Sequence, residues 1–264
     1  MDQSFERILL LFFTYAVIGW LWETVYCSIK AKKFVYRGFL VGPYCPIYGF
    51  GVLAVLYFIE PYQNNLLFLY VFSAVTVTIL EYITSYVLEK LFHTTWWDYK
   101  DVPLNLNGRI ALPVSLFWGI GCVFIVKVIQ PLVSQMVDDL ISHFGLVLPL
   151  LIIVIMLADL CYSVVSMAGF RQKLTSLAEE VEERRTEALD KMTETRELVG
   201  HELEQFKANR ENWLNQVKQS TELKAHFDKL NFNQKRMLRS FSNLNVPSIK
   251  NFKDLKEVQK KVKR

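Results

Sequence analysis

The sequence lacks the elements that bind and hydrolyse nucleotides. The phosphate-binding pattern GxxxxGK[ST] is absent, and no glycine precedes a Lys-Ser or Lys-Thr pair. Any nucleotide-driven step must therefore come from another chain. Histidine is equally scarce, and the four in the chain are too scattered to suggest a site: His93, His143, His201 and His226.

Cysteine is also sparse. The four cysteines have neither CxxC nor Cys/His spacing, which is typical of small apolar fillers, with metal ligation or a disulfide as the remote alternative. We expect no metal, cofactor or nucleic acid to bind. A cleavable signal peptide is likewise not expected, because the first apolar run has no basic region before it, contains Glu23 and is followed by no small-residue cleavage site.

Long apolar runs, in contrast, are abundant. The chain is 52% hydrophobic and 14% aromatic, with a mean hydropathy of +0.21, a composition that points away from a soluble domain. A helix needs roughly 20 residues to cross a bilayer core of about 30 Å. The sequence thus predicts an all-α polytopic membrane protein with five transmembrane helices: Ile8 to Ile29, Gly38 to Ile59, Leu66 to Leu88, Ile110 to Val133 and Leu146 to Phe170.

Positive charge is missing from two of the predicted loops, Glu60 to Asn65 and Ser134 to Gly145. Basic residues cluster instead after the first, third and fifth spans: Lys30, Lys32, Lys33, Arg37, Lys90, Lys100, Arg109, Arg171 and Lys173. By the positive-inside rule, this asymmetry predicts an external N-terminus and a cytoplasmic C-terminal tail. Arg7, beside Glu6, is the single dissenting charge.

A stretch rich in glycine and proline occurs twice, at Gly38 to Val52 and at Gly108 to Cys122. The two copies align as Gly38 with Gly108, Pro43 with Pro113, Gly49 with Gly119 and Gly51 with Gly121, and the aromatic residues Tyr48 and Trp118 precede the third pair. This alignment predicts that the first four helices form two parallel helix-pair repeats. The alternative is that membrane helices are generally rich in these residues.

The prolines and glycines of these copies also predict local structure. Pro43 and Pro46 lie close together, and proline removes an amide donor, so we expect a broken or kinked helix there. Alternatively, Pro43 lies in the first turns of the span, where proline costs little. Close packing of neighbouring helices is expected at four glycines: Gly49, Gly51, Gly119 and Gly121.

Three carboxylates lie inside the predicted spans. At about 1.5 Å per residue, Glu23, Glu81 and Asp159 fall about 20–22 Å from the outer ends of their helices. Each costs roughly 2.5–3.5 kcal/mol if exposed near the membrane centre, so they should face the bundle interior. Two interpretations stay open: a site for a substrate, cation or proton shared by Glu23 and Glu81, or structural pairing with Arg37 or Arg109.

The predicted inner loop from Phe92 to Arg109, FHTTWWDYKDVPLNLNGR, is the most unusual polar segment. An aromatic belt at the headgroup level would explain Trp96, Trp97 and Tyr99. It would not explain the dense polar and turn-forming set, which could contact a partner or line a vestibule: Asp98, Asp101, Asn105, Asn107, Gly108 and Arg109.

A known family shares this loop. The run WWDYKDVPLNLNGRIALPVSLFWG, with YAVIGWLWETVY and YRGFLVGPYCPIYGFG before it, resembles bacterial integral membrane proteins of the ABC-transporter permease group called type IV or CmpB-like. The resemblance covers about residues 10 to 170, with the WWDY to NGRI segment as its most specific part. It implies a multi-pass protein of the bacterial plasma membrane and brings no catalytic residues with it.

The composition changes after Phe170, which predicts a transmembrane domain at residues 1–170 and a cytoplasmic charged helical tail at residues 171–264. The tail contains 21 Lys and Arg against 15 Asp and Glu. Apolar residues at heptad-like spacing, beginning with Leu174, Ala178 and Val181, predict either a weak coiled coil that self-associates through residues 171–217 or a single solvated helix. Beyond Asn231 the helical signal fades. The basic end is either a disordered tail or an attachment to anionic lipid.

Three functional classes are compatible with these features. The leading expectation is a permease component that moves or binds a small solute with a separate ATPase or other protein subunit. The competing class is a membrane scaffold or regulator that acts through the tail. An intramembrane enzyme using Glu23, Glu81 or Asp159 is the weakest, because no His, Ser or Cys lies beside those acids at catalytic spacing.

The charge asymmetry makes the orientation testable. In a cysteine-free background, Gln63→Cys and Gln135→Cys should react with a membrane-impermeant thiol reagent in intact cells, because both lie in predicted outer segments. Lys100→Cys, in a predicted inner loop, should stay unlabelled until the cells are broken. Labelling of Lys100→Cys alone would reverse the orientation.

Overall fold

Helices account for almost all regular structure in the computed structural model, which describes residues 4–59, 64–196 and 228–241. Their bounds are α1 Phe5–Ala31, α2 Pro46–Ile59, α3 Leu66–Phe92, α4 Leu112–Phe124, α5 Gln130–Phe144, α6 Val147–Ser166, α7 Phe170–Arg196 and α8 Phe232–Ser240. A two-residue hairpin, β1 Asn105–Leu106 with antiparallel β2 Ile110–Ala111, precedes α4. The prediction of a mostly helical protein is confirmed.

Four helical segments in the described residues are long and apolar enough to cross a membrane: Phe5–Ala31, Leu66–Phe92, Leu112–Phe144 and Val147–Ser166. Their large apolar side chains are extensively exposed, among them Ile79, Phe117 and Val154. Such an exterior is costly in water and favourable in lipid. The structure therefore describes a membrane protein.

The remaining predicted span, Gly38 to Ile59, is helical only from Pro46, so the expectation of a full-length helix is corrected. Residues 34–45 precede α2 without helix or strand. The interruption expected near Pro43 and Pro46 is present. Because proline fits the first turn of a helix, Pro46 begins α2, whereas Pro43 lies outside it.

The prediction of an outer loop from Ser134 to Gly145 is wrong, because the helix continues to Phe144. A five-residue π-helix, Ile125–Ile129, joins α4 to α5 without a break. Its cause is Pro131, which has no N–H to donate to the carbonyl of Lys127 and whose ring crowds that turn. Gly145, with φ 52°, then makes the tight turn into α6.

The structure has a closely packed glycine in each of the two glycine- and proline-rich stretches. A Cβ added to Gly49 would lie 2.6 Å from the Phe12 carbonyl oxygen of α1, and one added to Gly119 would lie 2.8 Å from the Tyr70 ring of α3. Each glycine thus lets a short helix approach the long helix before it.

The same expectation is wrong at the other two glycines. A Cβ on Gly51 would meet nothing within 4 Å, and one on Gly121 would only touch Trp118 at 3.7 Å. A side chain at either position would therefore not force neighbouring helices apart.

The tail folds back onto the membrane domain. Leu174, Leu177 and Val181 of α7 are buried in one apolar cluster with Met237 of α8 and Trp96 of the loop before α4. The first turns of the predicted heptad stripe therefore pack against the chain itself. Self-association through residues 171–217 stays a prediction, as does the domain boundary at residue 170.

The helix α8 corrects the expectation that helical structure fades beyond Asn231. Asn231 and Gln234 form a reciprocal capping box, in which each side chain accepts a hydrogen bond from the other residue's backbone N–H. The cap starts a nine-residue helix whose buried residues include Met237 and Leu238. Packing, rather than length, stabilises this helix.

Alanine at Gly49 and Gly51 forms a matched test of the helix packing. Gly49→Ala should lower the thermal stability of the detergent-solubilised protein by about 1–3 kcal/mol, because the added methyl overlaps α1. Gly51→Ala adds the same atoms to open space and should leave stability unchanged or raise it by about 0.5–1 kcal/mol. Equal effects at both positions would contradict the packing.

Candidate functional site

The chain between α1 and α2 turns back along α1 without helix or strand, and we call residues 35–45 the return segment. Its last residue, Cys45, donates its backbone N–H to the carbonyl of Ala16 at 2.9 Å. Ala16 lies fifteen residues before the end of α1 at Ala31. At about 1.5 Å per residue, the return segment therefore runs roughly 22 Å back into the bundle.

Side chains of α1 supply hydrogen bonds to this irregular backbone. The Ser28 hydroxyl accepts from the Val35 N–H at 2.9 Å, and the Trp20 indole donates to the Arg37 carbonyl at 3.0 Å. Irregular backbone within a membrane requires such partners, because lipid offers none. The polar residues of α1 thus hold the return segment.

In the described residues, Asp159 of α6 has a structural role, because its carboxylate binds the return segment. Its carboxylate accepts hydrogen bonds from the backbone N–H groups of Val41 (3.0 Å) and Gly42 (2.7 Å). The hydroxyls of Tyr44 (2.7 Å) and Ser163 (3.1 Å) donate to the same carboxylate. Four donors stabilise an ionised carboxylate without a cation.

Glu23 forms an ion pair with Arg37 at the inner part of the return segment. The Arg37 Nε and Nη2 atoms lie 2.9 and 2.6 Å from Glu23 Oε1. The hydroxyl of Tyr48, on α2, donates to Glu23 Oε2 at 3.5 Å. The structural alternative, pairing with Arg37, thus holds for Glu23.

Glu81 has a different environment. Its side chain is 9% exposed, and its only hydrogen-bond partner in the described structure is the Tyr99 hydroxyl, which donates to Oε1 at 3.0 Å. Glu81 Oε2 is buried without a partner. The pairing with Arg109 that was the structural alternative is absent here.

Tyr99 connects the surroundings of the two glutamates. Burial raises the pKa of its phenol, the charges of Glu81 and Glu23 raise that pKa further, and Arg37 lowers it. The charges of Glu23 and Arg37 thus influence the same hydroxyl that donates to Glu81. Asp159, in contrast, interacts with the return segment from α6.

Arg109 pairs with Glu89, two turns after Glu81 on α3. Its Nη2 lies 2.7 Å from Glu89 Oε2, and its Nη1 donates to the Ser85 hydroxyl at 3.4 Å. The guanidinium also lies over the rings of Tyr82 and Tyr86, at 5.8 and 5.6 Å. Arg109 is thus placed near the candidate polar site but outside direct contact with its acids.

The motif of the loop before α4 forms a compact turn structure. Asn107 (φ 55°) and Gly108 (φ 68°) occupy the two positive-φ positions of the β1–β2 turn, as the Asn-Gly pair predicts. The Asn105 side-chain oxygen accepts from the Gly108 N–H at 3.1 Å, and the Tyr99 N–H donates to the Gly108 carbonyl at 2.8 Å. These bonds fix the backbone that carries Tyr99.

Other residues of the same loop motif make different contacts. The Trp97 indole donates to the Arg109 carbonyl at 2.9 Å, and Asp98 accepts from the Lys100 N–H at 2.9 Å. Trp96 is 4% exposed and packs edge-on against Phe241 of the tail, at 5.1 Å between ring centres. The expectation that Trp96 belongs to an aromatic belt is therefore wrong.

The tail helix α8 contacts the return segment through Arg236. Its guanidinium donates to the carbonyls of Gly38 (2.9 Å) and Phe39 (2.7 Å) and is held by the Asn233 side-chain oxygen at 2.7 Å. Burial lowers the pKa of this guanidinium, and Tyr36 opposes that change. A buried arginine with carbonyl partners joins the tail to the membrane domain.

Arg37 completes this contact from the other side. Its Nη1 donates to the Ser240 carbonyl at 2.8 Å, and its guanidinium lies 4.1 Å from the centre of the Phe241 ring. One arginine therefore binds both Glu23 and the end of α8.

Sequence reasoning did not predict α8, nor the oxygen atoms of α6 that accept hydrogen bonds from the side chains at the start of α8. Asn231, Asn233 and Gln234 donate to the backbone or hydroxyl oxygen of Ser166 at 2.7–2.9 Å. The sequence signal was the Asn-x-x-Gln capping pattern before Met237 and Leu238. No pattern in the sequence could have indicated Ser166.

These features define the class of protein: a polytopic helical membrane protein with an extended segment inside its bundle and buried acids beside it. A family model described as "Putative ABC-transporter type IV" matches residues 10–164, and the chain belongs to that family. This confirms the resemblance carried by the WWDY to NGRI loop, and it makes the chain a transporter-related membrane component. No curated protein and no solved structure matches the chain.

The role of Asp159 can be tested with a matched substitution. Asp159→Asn should lower thermal stability by about 1–3 kcal/mol, because the amide NH2 would face a backbone N–H where the carboxylate accepted one. Asp139→Asn, at an exposed position of α5, is the control and should change nothing. An unchanged melting curve for Asp159→Asn would contradict the assigned hydrogen bonds.

Proposed function

We propose that the chain is the permease component of a transporter, which moves or binds a small solute and is driven by a separate ATPase chain. Family membership supports the transporter class. The observation that carries the proposal is a buried polar contact, which we call the polar centre: the Tyr99 hydroxyl donates to Glu81, and the charge of Glu23 influences the same hydroxyl. Polar groups buried in membrane helices are typical of substrate sites.

The proposed repeat places this centre near its axis. Tyr48 and Trp118 are aligned by the repeat, and their rings meet edge to face at 5.7 Å. Residues related by a two-fold axis contact each other only near that axis. The solute site of this proposal therefore lies between the two helix pairs, with Glu23 and Glu81 on either side.

The proposed orientation places the N-terminus outside and the tail in the cytoplasm. Arg7 pairs with Asp138, which puts the start of α1 at the same end as the α5–α6 turn. The opposite end carries exposed Lys32 and Lys33, the loop before α4 and α8. This basic end is the proposed cytoplasmic surface, where an ATPase chain would bind.

Purification and transport test the permease function. The full chain, isolated from its host in mild detergent, should bring down an ATPase chain with a phosphate-binding loop in stoichiometric amount. In proteoliposomes the complex should hydrolyse ATP faster when its solute is present. Glu23→Gln should reduce that stimulation, whereas the exposed control Asp139→Asn should not. Isolation of the intact chain without an ATPase from several detergents would contradict the proposal.

A second candidate function is a membrane scaffold or regulator that acts through its tail. The observation that favours it is the docking of α8 on the return segment through Arg236. Arg236→Gln keeps a polar side chain but removes the guanidinium that bridges two carbonyls. A scaffold predicts that this variant loses a protein partner without any change in solute movement, whereas a permease predicts altered transport.

A further inference from the structure

We propose that the Glu81 carboxyl group is a proton-binding site that is occupied at neutral pH, with the Tyr99 hydroxyl as its fixed hydrogen-bond partner. The inference shares with the proposed function the Tyr99–Glu81 contact and the placement of α3 in the membrane, but it holds whether or not the protein transports a solute.

The first step is that no cation in the described residues would pair with a negative charge on Glu81. The side chain is 9% exposed, and no Lys, Arg or His in the described ranges lies within ion-pair distance of it. Its Oε2 atom is buried with no hydrogen-bond partner. An ionised carboxylate without a cation and with one unpaired oxygen is strongly disfavoured in an apolar interior.

The second step is the contrast with the other acids of the bundle. Glu23 has Arg37, Glu89 has Arg109, and Asp159 has two backbone N–H donors and two hydroxyl donors. Each of these three carboxylates therefore has either a cation or several donors within hydrogen-bond distance. Glu81 alone among them has a single neutral donor.

The third step identifies the ligand. A metal ion needs several oxygen ligands, and the described residues contain no group of three or more His, Cys, Asp or Glu side chains that could hold one. A proton needs one oxygen. Proton binding converts the carboxylate and a proton into the neutral acid, with the proton on Oε2 and with Oε1 still accepting from Tyr99. A neutral hydroxyl without a partner costs far less than an unpaired charge.

The charged and titratable groups near this site are all accounted for in the described chain. Glu89, two turns after Glu81 on α3, pairs with Arg109, whose guanidinium also reaches Ser85, one turn after Glu81, without an ion pair to Glu81. Glu23 and Arg37 form a second pair, whose charges influence the Tyr99 hydroxyl. Neither pair supplies a net positive charge that would favour ionised Glu81.

Infrared spectroscopy of the purified full chain in lipid nanodiscs tests the inference without any partner or solute. Wild-type protein at neutral pH, labelled with carboxyl-13C glutamate, should show the C=O band of a protonated glutamic acid, and this band should shift in D2O. Glu81→Gln should lose the band, and Glu23→Gln, the ion-paired control, should keep it. Tyr99→Phe should move the band to higher wavenumber, because Oε1 loses its donor.

Three results would overturn the inference. The first is a wild-type protein with no protonated glutamate band at neutral pH. The second is a band that persists unchanged in Glu81→Gln, and the third is a band that appears only when metal cations are removed. Should Glu81→Gln fail to fold, the wild-type spectrum and the Tyr99→Phe shift decide the matter. A failed ATPase pull-down leaves this result untouched, so the two proposals fail separately.

Discussion

The backbone of the return segment lacks the regular hydrogen bonds of a helix or a strand pair, and the rest of the bundle supplies partners for it. A helix in lipid satisfies its own N–H and C=O groups, but residues 35–45 form neither helix nor strand and run along α1 to the level of Ala16. Ser28 and Trp20 serve this backbone from α1, and Asp159 serves it from α6. Several of the polar side chains buried in the bundle therefore have a structural reason to be there.

This constraint gives the acids of the bundle different partners. Backbone amides and hydroxyls donate to Asp159, and Glu23 pairs with Arg37, which the return segment carries into the bundle. Glu81 faces only Tyr99. Glu23 and Glu81 thus have unlike partners, because the connection before α2 brings an arginine to Glu23 whereas the loop before α4 brings a tyrosine to Glu81.

The tail is joined to this arrangement through two arginines. Arg236 reaches the return segment from α8, and Arg37 reaches α8 from the return segment. Movement of α8 would therefore remove partners from Gly38 and Phe39 and change the surroundings of the Glu23–Arg37 pair. Hydrogen bonds of Arg37 therefore connect the end of α8 to Glu23.

Sequence patterns predicted the parts of this fold that depend on local composition. The apolar runs located α1, α3 and α6 to within a few residues, and Asn107–Gly108 predicted its turn. The C-terminal part of α5 was not predicted to be helical, because it contains fewer apolar residues although its backbone stays helical. The sequence could not predict that Arg109 pairs with Glu89 and not with Glu81. Both acids lie on α3, and only the path of the loop determines which carboxylate the guanidinium contacts.

Hydrogen–deuterium exchange of the return segment in nanodiscs, resolved to single amides, tests the central claim most directly. The account predicts slow exchange at Val35, Val41, Gly42 and Cys45, because each amide donates to an identified acceptor. In Asp159→Asn, exchange should accelerate at Val41 and Gly42 while Cys45, bonded to Ala16, stays protected. Exchange of all four amides at the rate of an unstructured peptide would contradict the account.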